Sequence, residues 1–401
     1  MALYYIVREK FLDELGANSY FFVLKNKKIY GPYYKNKENK IINIYNFRRG
    51  IQYHNEIIKV KKIRKNKFNL LYRKLYKINK PQLSSDILLV KNNSVTYFIT
   101  SPFIKIFTYK LLLNEVYLEN LKRDINIGYL ENNLKEIGYK IYNIFFSNIV
   151  FLKKDTRYIT ILSDKKLSFI PFEIAYNGKE FLFERHIISR DFIYEEERES
   201  QEFPLKEYSS FLSVCAVKYN AEEEFGDEVK YRDIAKYFNM PLFYYKKKFK
   251  ASEFIKILEN SRIFYFSGHS EFKKNKLYLK LSDKNYYLFQ DFLSLSFLPE
   301  VLILNFCMDI ERIEKIENII KELLKKGVKN IIISYLPVFK IQNKFFFYFF
   351  KFFSKNRNIG EAFFRSIKFL QKTNNHEWIY YRLYGNLLNN IYNYKNEYKK
   401  L

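Results

Sequence analysis

The stretches FYFSGHSEF (Phe264–Phe272) and VLILNFCMD (Val301–Asp309) decide the reading of this chain. Each opens as a short run of aromatic and branched apolar residues, the composition of a strand buried on both faces. Each stops at a chemically capable side chain, His269 in the first and Cys307 in the second. In an open α/β sheet, reactive groups collect beyond the carboxyl ends of the strands. Two neighbouring strands ending in this way set an imidazole beside a thiol, and the imidazole lowers the thiol pKa to give a nucleophilic thiolate. The span between the two residues accommodates one crossover between parallel neighbours. Taken singly, a His beside an apolar strand is an ordinary structural residue, and Cys is among the most buried types. With 4 His and 2 Cys in the chain, few such pairings are on offer. Gly268, directly before the His, allows close backbone approach to a ligand. The pattern points to a cysteine hydrolase.

Outward from these stretches, strands alternate with helical patterns, which indicates a parallel sheet covered on both faces. Phe211–Val217 and Pro241–Tyr245 read as strands, Val229–Phe238 and Ser252–Glu259 as helices. A polar excursion with a hairpin over Leu277–Leu288 precedes the Cys307 strand, and helix Ile313–Lys326 and strand Val328–Tyr335 follow it. Cys215, mid-strand, reads as an inert core thiol. Earlier, Glu131–Phe146 is helical, and Ser85–Lys110 holds two strands around Asn92-Asn93, followed by a helix-like run to Arg123. Ala2–Arg8 and Ser19–Leu24 read as strands, with a turn at Gly31-Pro32. The expected organisation is a β-rich N-terminal region with a basic linker over 1–83, then an α/β domain over 84–401.

Composition narrows the function classes. The 401 residues are 48% hydrophobic and carry a net charge of +27. That field favours acidic partners and polyanions. The over-used residues (Lys, Asn, Ile, Tyr, Phe) have AT-rich codons, whereas the scarce Gly (11) and Pro (8) have GC-rich ones, so base bias explains much of the pattern. Lys59–Lys80 is the densest basic run and reads as a solvated linker or basic helix rather than a nucleic-acid groove. A nucleic-acid partner has no supporting motif. Zinc spacing, a Walker loop, a dinucleotide fingerprint and helical repeats are all missing from the sequence, so neither a metal nor a cofactor is expected. The longest apolar run, Phe345–Phe350, is far shorter than the roughly 20 residues of a membrane span. Met1–Lys10 shows no leader, and two cysteines without framework spacing fit a reducing compartment. A cytoplasmic protein without membrane association is expected.

The stretch from about 130 to 392 resembles the CHAT domain, a caspase-like cysteine peptidase domain related to separases, caspases and clostripain. FSGHSEF stands at the family's Gly-His motif and LNFCMD at its Ala-Cys motif. Lys165–Phe192 is similar to a segment in which an apolar-Pro-Phe-Glu core strand precedes a short hairpin. Lys325–Val338 resembles the following Gly-led strand, Gly360–Leu370 the closing helix, and His376–Asn386 the final Trp-containing strand. Ser270, after the His, and Met308-Asp309-Ile310, after the Cys, depart from the family pattern.

The resemblance implies a caspase-like, doubly wound, mostly parallel sheet with helices on both faces. It implies a cysteine endopeptidase acting on a protein substrate, in a regulated bacterial defence or signalling role, with His269 and Cys307 catalytic. The backbone N–H groups of Gly268 and Cys307 are the implied oxyanion hole. Arginine-specific relatives have Asp two residues before the Cys; here Asn305 stands there, so a neutral residue at the cleavage site is expected, with Asp309 the one nearby carboxylate for the pocket. Tyr335–Phe339 and Phe306 supply aromatic surroundings. A regulatory or activating partner is implied, acting on Lys273–Gln290 and the segment after Cys307 as movable parts. The alternative is an inactive pseudo-peptidase serving as a partner- or polyanion-binding scaffold.

Overall fold

The computed structural model of the chain describes residues 2–8, 19–25, 28–35, 41–43, 86–91, 94–99, 104–110, 113–130, 133–147, 158–192, 208–217, 238, 242–246, 248–306, 313–334, 344–373 and 376–387. Their organising element is a sheet of 15 strands. In chain order these are β1 (Ala2–Arg8), β2 (Ser19–Lys25), β3 (Lys28–Lys35), β4 (Ile41–Asn43), β5 (Asp86–Lys91), β6 (Ser94–Ile99), β7 (Ile104–Lys110), β8 (Tyr158–Ser163), β9 (Ile187–Asp191), β10 (Ser210–Val217), β11 (Leu242–Lys246) and β12 (Ser261–Ser267). A separate three-stranded antiparallel sheet follows, made of β13 (Ser270–Lys273), β14 (Lys276–Lys280) and β15 (Tyr286–Leu288). The chain then returns to the main sheet with β16 (Val301–Asn305), β17 (Asn330–Ser334) and β18 (Tyr381–Gly385).

Across the main sheet the order is β11-β10-β12-β16-β17-β18-β9-β8-β5-β6-β7-β1-β2-β3-β4. The block from β11 to β17 is wholly parallel, as is the block from β18 to β5, and the two meet at the antiparallel β17–β18 pair. The strands at the centre read as unbroken apolar runs because both faces are covered. In β12, Phe264 and Phe266 pack edge-on against Phe254 of the helix Ala251–Glu259, with ring centroids 5.4 and 5.6 Å away. Tyr265, pointing to the other face, meets Phe346 and Phe350 of the helix Lys344–Asn356 at 4.9 and 5.5 Å. The apolar run Phe345–Phe350 is thus a core helix. Its Phe345, Phe346, Phe349, Phe350 and Phe353 form one buried stripe, the spacing of an amphipathic helix. Among the described residues, no helix is long and apolar enough to cross a membrane.

The expected strands of the N-terminal region are β1 and β2, and β1 pairs with β7, so these strands continue the main sheet. Gly31-Pro32 is not a turn but lies inside β3. The β2–β3 register slips between Phe21 and Val23, opposite this pair, and an irregular register is where a Pro without an N–H is tolerated. The expected Pro-Phe-Glu core strand is also corrected: Phe172–Ile174 is a single 3-10 turn after Pro171. Pro171 has no N–H for a ladder, and turning here carries Glu173 beneath Arg190. The Trp of the last motif likewise precedes its strand, in the 3-10 turn His376–Tyr380. The basic run Lys59–Lys80 and residues 229–237 of an expected helix lie outside the described residues.

A buried charge network spans the line where the two parallel blocks meet. Arg190 on β9 forks onto Glu173, Nε to Oε1 at 2.7 Å and Nη2 to Oε2 at 2.8 Å, and also donates to the carbonyls of Ser168 and Ile170. Arg382 on β18 donates to the Ser168 carbonyl at 2.6 Å and lies 3.8 Å from Glu317 of the helix Ile313–Lys325. The Tyr384 hydroxyl donates to the same Glu317 carboxylate at 2.8 Å. Burial alone raises the Glu173 carboxyl, but the adjoining Arg190 guanidinium more than offsets it and holds the group below the usual carboxylate range. At Glu317 burial prevails over Arg190 and Arg382, and the carboxyl is pushed up. Removing one partner of such a pair leaves a buried charge uncompensated. Glu173→Gln is therefore expected to lower stability by about 3–5 kcal/mol at pH 7 in urea unfolding. A depressed folded-state pKa contributes stability that is lost as pH falls through it. The deficit of the variant against the unmodified chain should accordingly shrink on the acid side.

Candidate active site

The site is built at the carboxyl ends of β12 and β16, which are parallel neighbours paired Ser267 to Asn305. One further ladder bond extends the pair, from Gly268 N–H to the Asn305 carbonyl at 3.0 Å. Beyond it the chain leaves the main sheet. The His269 carbonyl accepts the Lys280 N–H of β14 at 2.9 Å, and β13 starts at Ser270. The half-buried His269 thus sits at the junction of two sheets, its carbonyl held by β14 and the preceding Gly268 N–H held by Asn305. Gly268 is needed there for close approach: a Cβ would come within 2.8 Å of Phe266 Cζ, a ring already packed on Phe254.

Lys273–Gln290 is not a loose polar excursion. Leu277, Leu279, Leu281, Tyr287 and Phe289 are buried, and Tyr287 stacks obliquely on Phe254 at 5.3 Å. The alternation along β14 gives the three-stranded sheet one apolar face, and that face seats it against the helix covering β12. Its outer face carries the ion pair of Lys273 with Glu271 at 3.0 Å, and the Lys273 ammonium lies 3.8 Å from the Tyr286 ring centroid. The hydrogen bond from Lys273 lowers the Glu271 pKa. Burial pushes the Tyr287 phenol up to about 12.

On the neighbouring strand, Phe306 is fully buried. Its N–H donates to Ser334 Oγ at 3.3 Å, and the Ser334 hydroxyl in turn donates to the Phe306 carbonyl. Cys307 and Asp309 lie outside the described residues, as do 335–339. In sequence, His269 and Cys307 stand at the same offset, two residues past the paired Ser267 and Asn305. Cys215 is buried within β10, and His186 is buried beside β9.

Two expectations are corrected by these contacts. Asn305 does not face a substrate pocket. It is 0% exposed; its amide donates to Tyr265 OH at 3.4 Å and Ser267 Oγ at 3.3 Å, and its carbonyl accepts from Tyr381 OH at 3.2 Å. It is a polar pin inside the core, beneath the ends of β12 and β16. The Gly268 N–H, assigned to an oxyanion hole, is taken up by the sheet, because the β12–β16 ladder runs one residue further than the strands themselves. The sequence reading also overlooked Ser334. The signal available was a hydroxyl closing the apolar strand NIIIS (Asn330–Ser334). Asn305→Ala strands buried hydroxyls and is expected to cost about 1–3 kcal/mol in chemical denaturation. Gly268→Ala is expected to cost about 1–3 kcal/mol through overpacking against Phe266, measured in the same way.

The model of the family described as CHAT domain matches residues 135–381, a span that contains both strand ends of the site. No curated protein matches the chain. Among solved structures, the chain is similar to a chain of the Saccharomyces cerevisiae separase–securin complex, with 14% identity and a TM-score of 0.39 over 57% of this chain. The similarity spans 15% of that chain's length. On the extent of the family match, this chain belongs to the CHAT domain family.

Proposed function

We propose that the chain is a cysteine endopeptidase whose catalytic pair is His269 and Cys307. The observation that carries the reading is the in-register pairing of Ser267 with Asn305 on adjacent parallel strands. Adjacent strands lie about 4.8 Å apart. Equal two-residue offsets in sequence beyond that pair support a meeting of the His and the Cys at one end of the sheet. The Cys307 thiolate attacks the scissile carbonyl carbon, and the carbonyl π electrons move onto oxygen. The tetrahedral adduct collapses as His269 delivers a proton to the departing amine, leaving a thioester. Water, deprotonated by the same imidazole, then hydrolyses the thioester and regenerates the thiol.

Pocket chemistry follows from the surroundings. With Asn305 occupied in the core and no charged group assigned to the pocket among the described residues, the reading is cleavage after a neutral residue, with Asp309 the carboxylate whose removal tests it. A regulated role, with an activating partner acting on the segment after Cys307, suits a protease that would otherwise damage its host. The competing reading is a pseudo-peptidase scaffold, and the observation favouring it is the Gly268 N–H held by Asn305.

Cys307→Ala is expected to abolish cleavage of a peptide library while leaving the thermal unfolding midpoint within a few degrees. Cys215→Ala should leave cleavage intact. Proteolysis that survives in Cys307→Ala would refute the assignment. A chain inert on the library, with a Cys307 no more reactive than a free thiol, would favour the scaffold. Dominant cleavage after Arg or Lys, lost in Asp309→Asn, would overturn the neutral preference.

A further inference from the structure

We propose that the outward face of the paired helices Lys344–Asn356 and Ile359–Lys372 docks an acidic amphipathic helix of a partner protein. On the first helix Lys344, Tyr348, Lys351, Phe352 and Lys355 recur at the spacing of one helical face, opposite the buried phenylalanine stripe. On the second, Arg365, Phe369 and Lys372 do the same. Tyr348 and Phe369 join the two faces, with ring centroids 4.0 Å apart, and Phe352 lies 6.5 Å from Phe369. These three rings are half-buried, whereas Lys344, Lys355, Arg365 and Lys372 are exposed. The result is an apolar seam with a basic rim on both sides.

Overall composition does not account for this rim. On other helices, lysines meet carboxylates on the same surface: Lys140 lies 3.3 Å from Glu136 and 3.2 Å from Asp124, and Lys325 lies 2.9 Å from Glu322. Between Lys344 and Lys372 the one carboxylate is Glu361. It is buried, accepts the Tyr158 hydroxyl at 3.1 Å and reaches Arg365 at 3.7 Å. Among the described residues, no carboxylate pairs with Lys344, Lys351, Lys355 or Lys372. A ligand complementary to this face therefore brings the negative charge itself. It must also cover the seam, which an apolar stripe does and a bare polyanion does not. The rings lie against one another instead of protruding, so they offer neither open faces for stacking bases nor a wedge for a bilayer. The large apolar side chains most exposed among the described residues, Val116, Tyr117, Tyr139 and Phe297, lie on other elements. An amphipathic helix with carboxylates flanking its apolar stripe meets both conditions. The first helix has 13 residues, a length of about 20 Å that seats roughly four turns of a partner.

The probe is a fluorescein-labelled peptide with a leucine stripe at helical spacing and glutamates at the flanking positions. Its binding to the full chain is read by fluorescence anisotropy near physiological salt. Two charge-reversal variants are compared. One carries Lys344→Glu, Lys355→Glu and Lys372→Glu; the other carries Lys179→Glu, Lys256→Glu and Lys276→Glu, exposed lysines away from these helices. Both lower the net charge equally and leave the core untouched. The expected result is saturable binding, weakened by about tenfold in the first variant and by less than about twofold in the second. Equal weakening in the two variants would make binding a response to net charge and overturn the proposal. Equal affinity for a peptide of the same composition with its stripe scrambled would overturn it too. So would the lack of saturable binding, or a first variant that loses affinity only for phosphatidylserine vesicles or polyuridylate RNA. None of these positions belongs to the proposed catalytic pair, so each outcome leaves that reading standing.

Discussion

Parallel pairing of β12 with β16, closed by the bond from Gly268 N–H to the Asn305 carbonyl, is the constraint from which the rest of the site follows. It sets the relative height of two strand ends whose sequences continue to His269 and to Cys307. A slip of one residue along either strand would turn every side chain of that strand to the opposite face. The register is protected against such a slip from both faces. Phe264 and Phe266 are locked edge-on against Phe254, while Tyr265 is locked against Phe346 and Phe350. Asn305 adds a polar condition, because its amide and carbonyl find Tyr265, Ser267 and Tyr381 together only in this register.

The same logic extends through the fold. Tyr381 reaches Asn305 from β18, the strand at which the sheet changes direction, and its ring lies 4.5 Å from Phe345 and 4.7 Å from Phe346. On the far side of that strand, Arg382 and Arg190 gather the carbonyls of residues 168–170 with the carboxylates of Glu173 and Glu317. One charge network thereby ties the β18–β5 block to the helix after the Cys strand. Buried ion pairs contribute less to net stability than to fixing one arrangement, since each unpaired alternative leaves a charge in the core. Here the arrangement fixed is the seam behind the site.

Several of these features are legible in the sequence. FYFS and VLILN announce buried strands because a strand covered on both faces must be apolar at every position. The helix Ile313–Lys325 shows its Ile and Leu stripe at helical spacing. The proposed pair, His269 and Cys307, is visible as chemistry at the ends of those runs. Non-local partners are what the sequence hides. Nothing near Asn305 indicates that a hydroxyl 76 positions away will occupy its carbonyl, so a core pin reads as a pocket residue. Glu173 turns the chain for the sake of Arg190, which outweighs the strand preference of its apolar neighbours. Gly31-Pro32 reads as a turn because the register slip that tolerates it belongs to the partner strand. Ser334 looks like an ordinary strand terminus until the Phe306 backbone is placed beside it.

The pH dependence of Cys307 alkylation tests the central claim most directly, because it needs no knowledge of the substrate. An unperturbed thiol titrates near 8.5, and an adjacent imidazolium lowers that value. The pairing of His269 with Cys307 predicts an alkylation midpoint well below 8.5 in the unmodified chain and a return to about 8.5 in His269→Ala. Coincident profiles near 8.5 in the two proteins would contradict it.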